Sequence, residues 1–131
     1  MSVEAFKQVR LLDLLHVNAE SGVRWSVESD DLDCNLVSWK SGETVAEHVN
    51  PEVDVLIIIL AGSGRLSIDG EWTNVMPGAA TLITKNASRS LVAGENGLAY
   101  VTVHKRRRRL MPGAAESRAA SQLSLKERHS S

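Results

Sequence analysis

Residues 42–64 of the 131-residue chain read GETVAEHVNPEVDVLIIILAGSG and hold the first group of side chains capable of chemistry. His48 and Asn50 stand two apart, so on a strand both project to the same face. Asp54 follows with a carboxylate, and Arg89 brings a guanidinium later in the chain. Tyr100, Thr102 and His104 alternate along the last apolar segment and share a face of their own. Two chemistries compete for these residues. Imidazoles plus one carboxylate are what a divalent transition metal takes at an open catalytic site. A guanidinium fork flanked by a histidine and an amide is instead a receptor for a carboxylate or phosphate. If Arg89 points inward, its charge decides between them: a cation about 5 Å from a divalent ion is repelled by roughly 7 kcal/mol at an effective dielectric near 20. A third reading of Arg89 is an internal salt bridge to Asp54 or Glu52, which organises the fold and binds nothing.

The elements that must position these groups are strands. Residues 23–27 (VRWSV) alternate apolar and polar, and 33–39 (DCNLVSW) form a second candidate. Residues 55–60 (VLIIIL) are β-branched and continuous, which predicts a strand covered on both faces and ended by AGSG. Asp69-Gly70 between two alternating segments predicts a hairpin. Residues 79–83, 88–93 and 98–104 complete the set, separated by TKNA and GENG. Short strands with glycine-marked turns about every ten residues imply an antiparallel sandwich or jelly roll. Residues 3–15 fit a short helix or an arm strand.

With the strands laid out, residues 42–104 resemble the cupin superfamily, specifically its small single-domain members. The first cupin motif is Gly, five residues, His-x-His, three or four residues, Glu, six residues, Gly. Here Gly42 precedes His48 by that spacing, Asn50 stands for the second histidine, Asp54 falls at the glutamate, and Gly62 comes one residue late. The second motif begins at Gly78, has Thr84, Lys85 and Asn86 for Pro-x-Gly, Arg89 for the histidine and Ala93 for the last Asn. Asn86 suits a glycine turn position because asparagine tolerates the left-handed conformation. The resemblance implies an all-β fold, the cupin double-stranded β-helix or jelly-roll barrel, with an N-terminal arm over 1–20, the barrel over 21–112 and a basic, mostly disordered tail over 113–131. Of the family's four metal ligands only His48 is retained. The expectation is therefore a metal-free, small-molecule-binding barrel without a cofactor, its anionic ligand held by His48, Asn50, Asp54, Arg89, Tyr100 and His104. The alternative is a metal-dependent dioxygenase or isomerase with a divalent transition metal on His48, Asp54 and His104.

Composition bounds the rest. Hydrophobic residues make up 43% and charged residues 24%, as in ordinary globular domains. No apolar run reaches the length of a membrane-spanning helix and no secretory leader is visible, so the expected location is cytoplasmic, with no membrane partner. Cys34 is the single cysteine, which excludes an internal disulfide and reads as a small buried hydrophobe. Trp25, Trp39 and Trp72 are expected to pack in the core and at interfaces. From Lys105 onward eight Lys/Arg face Glu116 and Glu127, a net +6 that leaves −7 for the body. The run KRRRR at 105–109 could track phosphates on nucleic acid or sit on an anionic surface, a further alternative, but it lacks interleaved aromatics and a DNA-reading helix, so nucleic acid is not the expected partner. A homodimer is expected from the resemblance and from the strand edges of an open sandwich.

Overall fold

A computed structural model of the chain describes residues 7–15 and 20–106. The expected tail at 113–131 lies outside them, as do Arg107 to Arg109 of the basic run. The elements are α1 (Leu11–Leu14), β1 (Gly22–Glu28), β2 (Leu32–Trp39), β3 (Thr44–Val49), β4 (Val55–Ile68), β5 (Glu71–Val75), β6 (Ala80–Ile83) and β7 (Ser88–Lys105). Every pairing is antiparallel. The N-terminal segment thus holds a single helical turn, with Arg10 and Asp13 joined across it at 2.9 Å.

Two strands carry the architecture. The first half of β4 pairs with β6 and its second half with β5; β7 pairs with β3 through its first half and with β2 through its second. β4 and β7 also pair with each other along both halves, so each runs through both layers of the barrel. This corrects the expectation that AGSG and GENG separate strands. Both stretches lie inside continuous strands that bend there, with register shifts between Ile59 and Ala61 and between Gly62 and Gly64. An antiparallel ladder turns a corner where one strand carries extra residues, and the local twist rises with it.

Glycine is required at the corner. Gly62 has φ +80°, and a Cβ built on it would lie 2.1 Å from the Gly97 carbonyl oxygen. Gly97 has φ +77°, and its Cβ would come within 2.7 Å of the Trp39 carbonyl oxygen. Three backbone segments therefore touch with no side chain between them. The Asp69-Gly70 hairpin forms as the sequence predicts, with φ +50° and +87°, the two positive values of a type I′ turn. Asn86 takes φ +74° in the turn before β7.

The core is the inward face of these strands: Val37, Trp39, Val45, Val55, Ile57, Ile59, Leu66, Leu91 and Tyr100 are all buried. Strand alternation then puts Leu56, Ile58 and Leu60 on the outer face, where they are half-buried beside exposed Leu82. The continuous apolar run is thus fully covered on one face only. Trp39 is a core residue, Trp25 is half-buried, and Trp72 is exposed under the Arg65 guanidinium, 4.6 Å from its ring centre. Trp72 is therefore a cation–π surface residue and not a core one. Cys34 is half-buried, and desolvation pushes its thiol up. No helix among the described residues is long and apolar enough to cross a membrane.

Two outcomes follow from this packing. Gly62→Ala should destabilise by about 3 kcal/mol or more in denaturant unfolding, because strain and a backbone clash add. Gly70→Ala, where a Cβ meets nothing within 4 Å, should lose only the conformational part, about 1 to 2 kcal/mol. Equal losses would remove the contact argument. Tyr100 is the only tyrosine; burial pushes its hydroxyl up to about 12, against smaller lowering by the Trp39 hydrogen bond and the charge of Arg89. Its phenolate absorbance should stay absent at pH 10 and reach only about a tenth of its full value at pH 11. A neutral buried phenol stabilises the fold fully below the unfolded value near 10, and that contribution is lost as pH rises toward 12. Ionisation near pH 10 with the fold intact would contradict the burial.

Candidate functional site

The site is built where β3 meets the first half of β7. Val45 pairs with Leu91 and His48 with Arg89, so β3 spends two residues, Ala46 and Glu47, opposite the single residue Ser90. A bulge of this kind restores the inward direction one residue later and re-aims the side chain that follows. Val45 and His48 thereby both face the interior, while Ala46 and Glu47 are exposed.

Arg89 is 4% exposed and points into the barrel. Its Nε donates to Nε2 of His48 at 3.2 Å. A guanidinium N–H can only donate, so Nε2 must carry a lone pair and the proton sits on Nδ1. Nδ1 lies 2.9 Å from the Ala46 carbonyl oxygen, which accepts that proton. The imidazole is thus locked as one tautomer from both sides. Behind the pair lies Tyr100, 2% exposed, whose hydroxyl oxygen accepts a hydrogen bond from Trp39 Nε1 at 2.9 Å. His48, Arg89 and Tyr100 line a cavity walled by Val45, Ile57, Leu66 and Leu91. Its volume is about 10 Å³, room for about one water.

The other three expected site residues are placed differently. Asn50 is buried but does not line this cavity. Its Oδ1 accepts the backbone N–H groups of Glu52 and Val53 at 2.9 and 3.3 Å, and its carbonyl accepts Asn86 N–H at 2.8 Å. Asn50 is therefore a turn builder joining β3 to β4; its Nδ2 is buried and has no hydrogen-bond partner among the described residues. Asp54 is exposed and accepts the Lys85 backbone N–H at 2.8 Å, closing the turn after β6. His104 is buried between Asp33 and Val55 on neighbouring strands, with Nδ1 2.8 Å from the Lys105 carbonyl oxygen. It shares the inward face with Tyr100 and Thr102, and Thr102 Oγ1 is buried with no hydrogen-bond partner among the described residues.

The acidic motif position is corrected by this geometry. With four residues after Asn50 instead of three, the position falls on Val55, and Gly62 then arrives on schedule. Val55 is 1% exposed and faces the core, as a ligand at that place would. Both spacings satisfy the motif; the acidity of Asp54 favours the shorter one, and the strand register favours the longer. Trp39 as the partner of Tyr100 had no local signal, since it lies 61 residues away.

A divalent metal does not fit these residues. The four motif positions carry His48, Asn50, Val55 and Arg89, and the His48 lone pair a metal needs is taken by Arg89. Among the described residues no three His, Cys, Asp or Glu side chains are grouped to hold an ion, so the alternative set of His48, Asp54 and His104 does not assemble.

No family model matches the sequence, and no curated protein matches it either. Solved structures do match. KdgF from Halomonas sp. is 22% identical with a TM-score of 0.62, over 70% of this chain and 84% of that one. A Klebsiella pneumoniae protein with a double-stranded β-helix domain is 14% identical at TM-score 0.65, over 76% and 90%. A cupin protein from Bacteroides fragilis is 20% identical at TM-score 0.55, over 85% and 86%. At these identities the likeness speaks for architecture, and it agrees with the strand pairings above. The chain has the cupin fold, a double-stranded β-helix.

Proposed function

We propose that the protein is a metal-free binding cupin whose barrel accepts the charged end of a small carboxylate or phosphate at Arg89. The observation that carries this reading is the buried guanidinium standing at a metal-ligand position with its Nε on His48 Nε2. A neutral imidazole lone pair is a weaker partner for a guanidinium than an oxyanion, which offers a charge and two acceptor oxygens in the fork geometry. The small volume of the cavity sets the route. His48 is half-buried while Arg89 is buried, so the imidazole is the part that can swing outward and let an oxyanion oxygen take its place. Val45, Leu66 and Leu91 then limit the body of the ligand to a small apolar group.

Calorimetric titration with formate, acetate, propionate and phosphate tests this. Saturable binding of at least one should be lost in Arg89→Gln. His48→Ala should keep or tighten it, because the displaced competitor is gone and the cavity is larger. If Arg89→Gln does not fold, the His48→Ala arm decides alone, since loss of binding there contradicts displacement. Binding untouched by either change would place the anion elsewhere, and no saturation by any of the four would end the proposal.

A further inference from the structure

A second cavity, far larger than the barrel interior, lies outside the barrel at the glycine corner. Its volume is about 400 Å³, within the range of small-molecule sites. Ala61, Gly62, Gly97 and Ala99 line it. These are the small residues of the bend where β4, β7 and the chain after Trp39 pack backbone on backbone. Leu15, next to α1, lines it as well.

The wall contains a placed cation. In β1, Val23 pairs with Val37 and Trp25 with Leu36, so Arg24 is the extra residue of a bulge. Its Nη1 donates to Ser38 Oγ at 3.1 Å and its Nη2 to the Leu14 carbonyl oxygen at 3.3 Å. Ser38 Oγ in turn donates to the Glu20 carbonyl oxygen at 3.2 Å. Arg24 is thereby half-buried and held by two strands and the N-terminal segment, so little side-chain entropy remains to be lost on binding. Lys40, Glu20 and Glu95 also line the cleft and are exposed. Two cations and two carboxylates thus line a cleft that also carries these small residues.

We infer that this cleft is a second binding site, independent of the barrel interior, for a small zwitterion of the amino-acid class. The balance of charge selects the class. A simple anion meets Glu20 and Glu95, and a simple cation meets Arg24 and Lys40, whereas a zwitterion satisfies both signs. The carboxylate goes to Arg24 and Lys40, the ammonium to the glutamates, and the side chain lies on Ala61 and Ala99 beside Leu15.

The test is saturation-transfer NMR and calorimetry on the full chain with glycine, alanine and leucine, with acetate and methylammonium as the two half-ligands. The inference expects saturable binding of an amino acid that Arg24→Gln weakens about tenfold or more, the scale of a lost charged hydrogen bond. Ala61→Leu, which fills the floor, should abolish it. Should Ala61→Leu fail to fold, Glu20→Gln with Glu95→Gln replaces it and should weaken alanine while sparing acetate. Acetate binding that is as tight as alanine's and is weakened by Arg24→Gln overturns the zwitterion assignment. Amino-acid binding indifferent to Arg24→Gln, or absent altogether, overturns the site.

Discussion

The hydrogen bond from Arg89 Nε to His48 Nε2 is the interaction on which the interior depends. A guanidinium taken almost wholly out of water is costly unless its N–H groups are held and its charge is met. Here the imidazole supplies a lone pair, and it does so only because Ala46 holds the opposite nitrogen as a donor. That carbonyl is exposed to the ring by the β3 bulge, so a one-residue irregularity in a strand fixes the tautomer of a buried side chain. Arg89 is also near enough to Tyr100 for its charge to oppose, without overcoming, the effect of burial on the phenol. The result is an interior whose polar groups are organised around a fixed cation.

The bend in β4 and β7 makes that arrangement possible. Both strands cross from one layer to the other at Gly62 and Gly97, which carries Arg89 on the first half of β7 and Tyr100 on the second half into one cavity. The same bend leaves a backbone floor on the outside, over which the β1 bulge sets Arg24. Inner and outer cavities are therefore two consequences of one corner. Each is given its charge by an arginine that a β-bulge helps to position.

Much of this was legible in the sequence, for identifiable reasons. Period-two alternation located β1, and Asp69-Gly70 announced its hairpin, because those signals depend on near neighbours. Asn86 fits for the same reason: a left-handed turn position restricts the residue types that can occupy it. The glycine stretches misled because a glycine that ends a strand and one that bends it look alike locally; the difference is the partner strand 35 residues away at Gly97. Asp54 misled because residue type outweighed register. One step along a strand reverses the face, and Val55 is the inward residue. Asn50 combined both limits, since its spacing from His48 was right while its amide was committed to a turn. The pairing of Arg89 with His48 was present only as two residues of suitable chemistry 41 positions apart.

The most direct measurement of the central claim is the protonation pattern of the His48 ring, read by long-range ¹H–¹⁵N correlation NMR on uniformly labelled protein near neutral pH. The neutral tautomer is expected, with the proton on Nδ1 and an acceptor-type Nε2, together with a clear shift of Nε2 in Arg89→Gln. A ring protonated on Nε2, or an Nε2 unaffected when Arg89 is replaced, would contradict that claim.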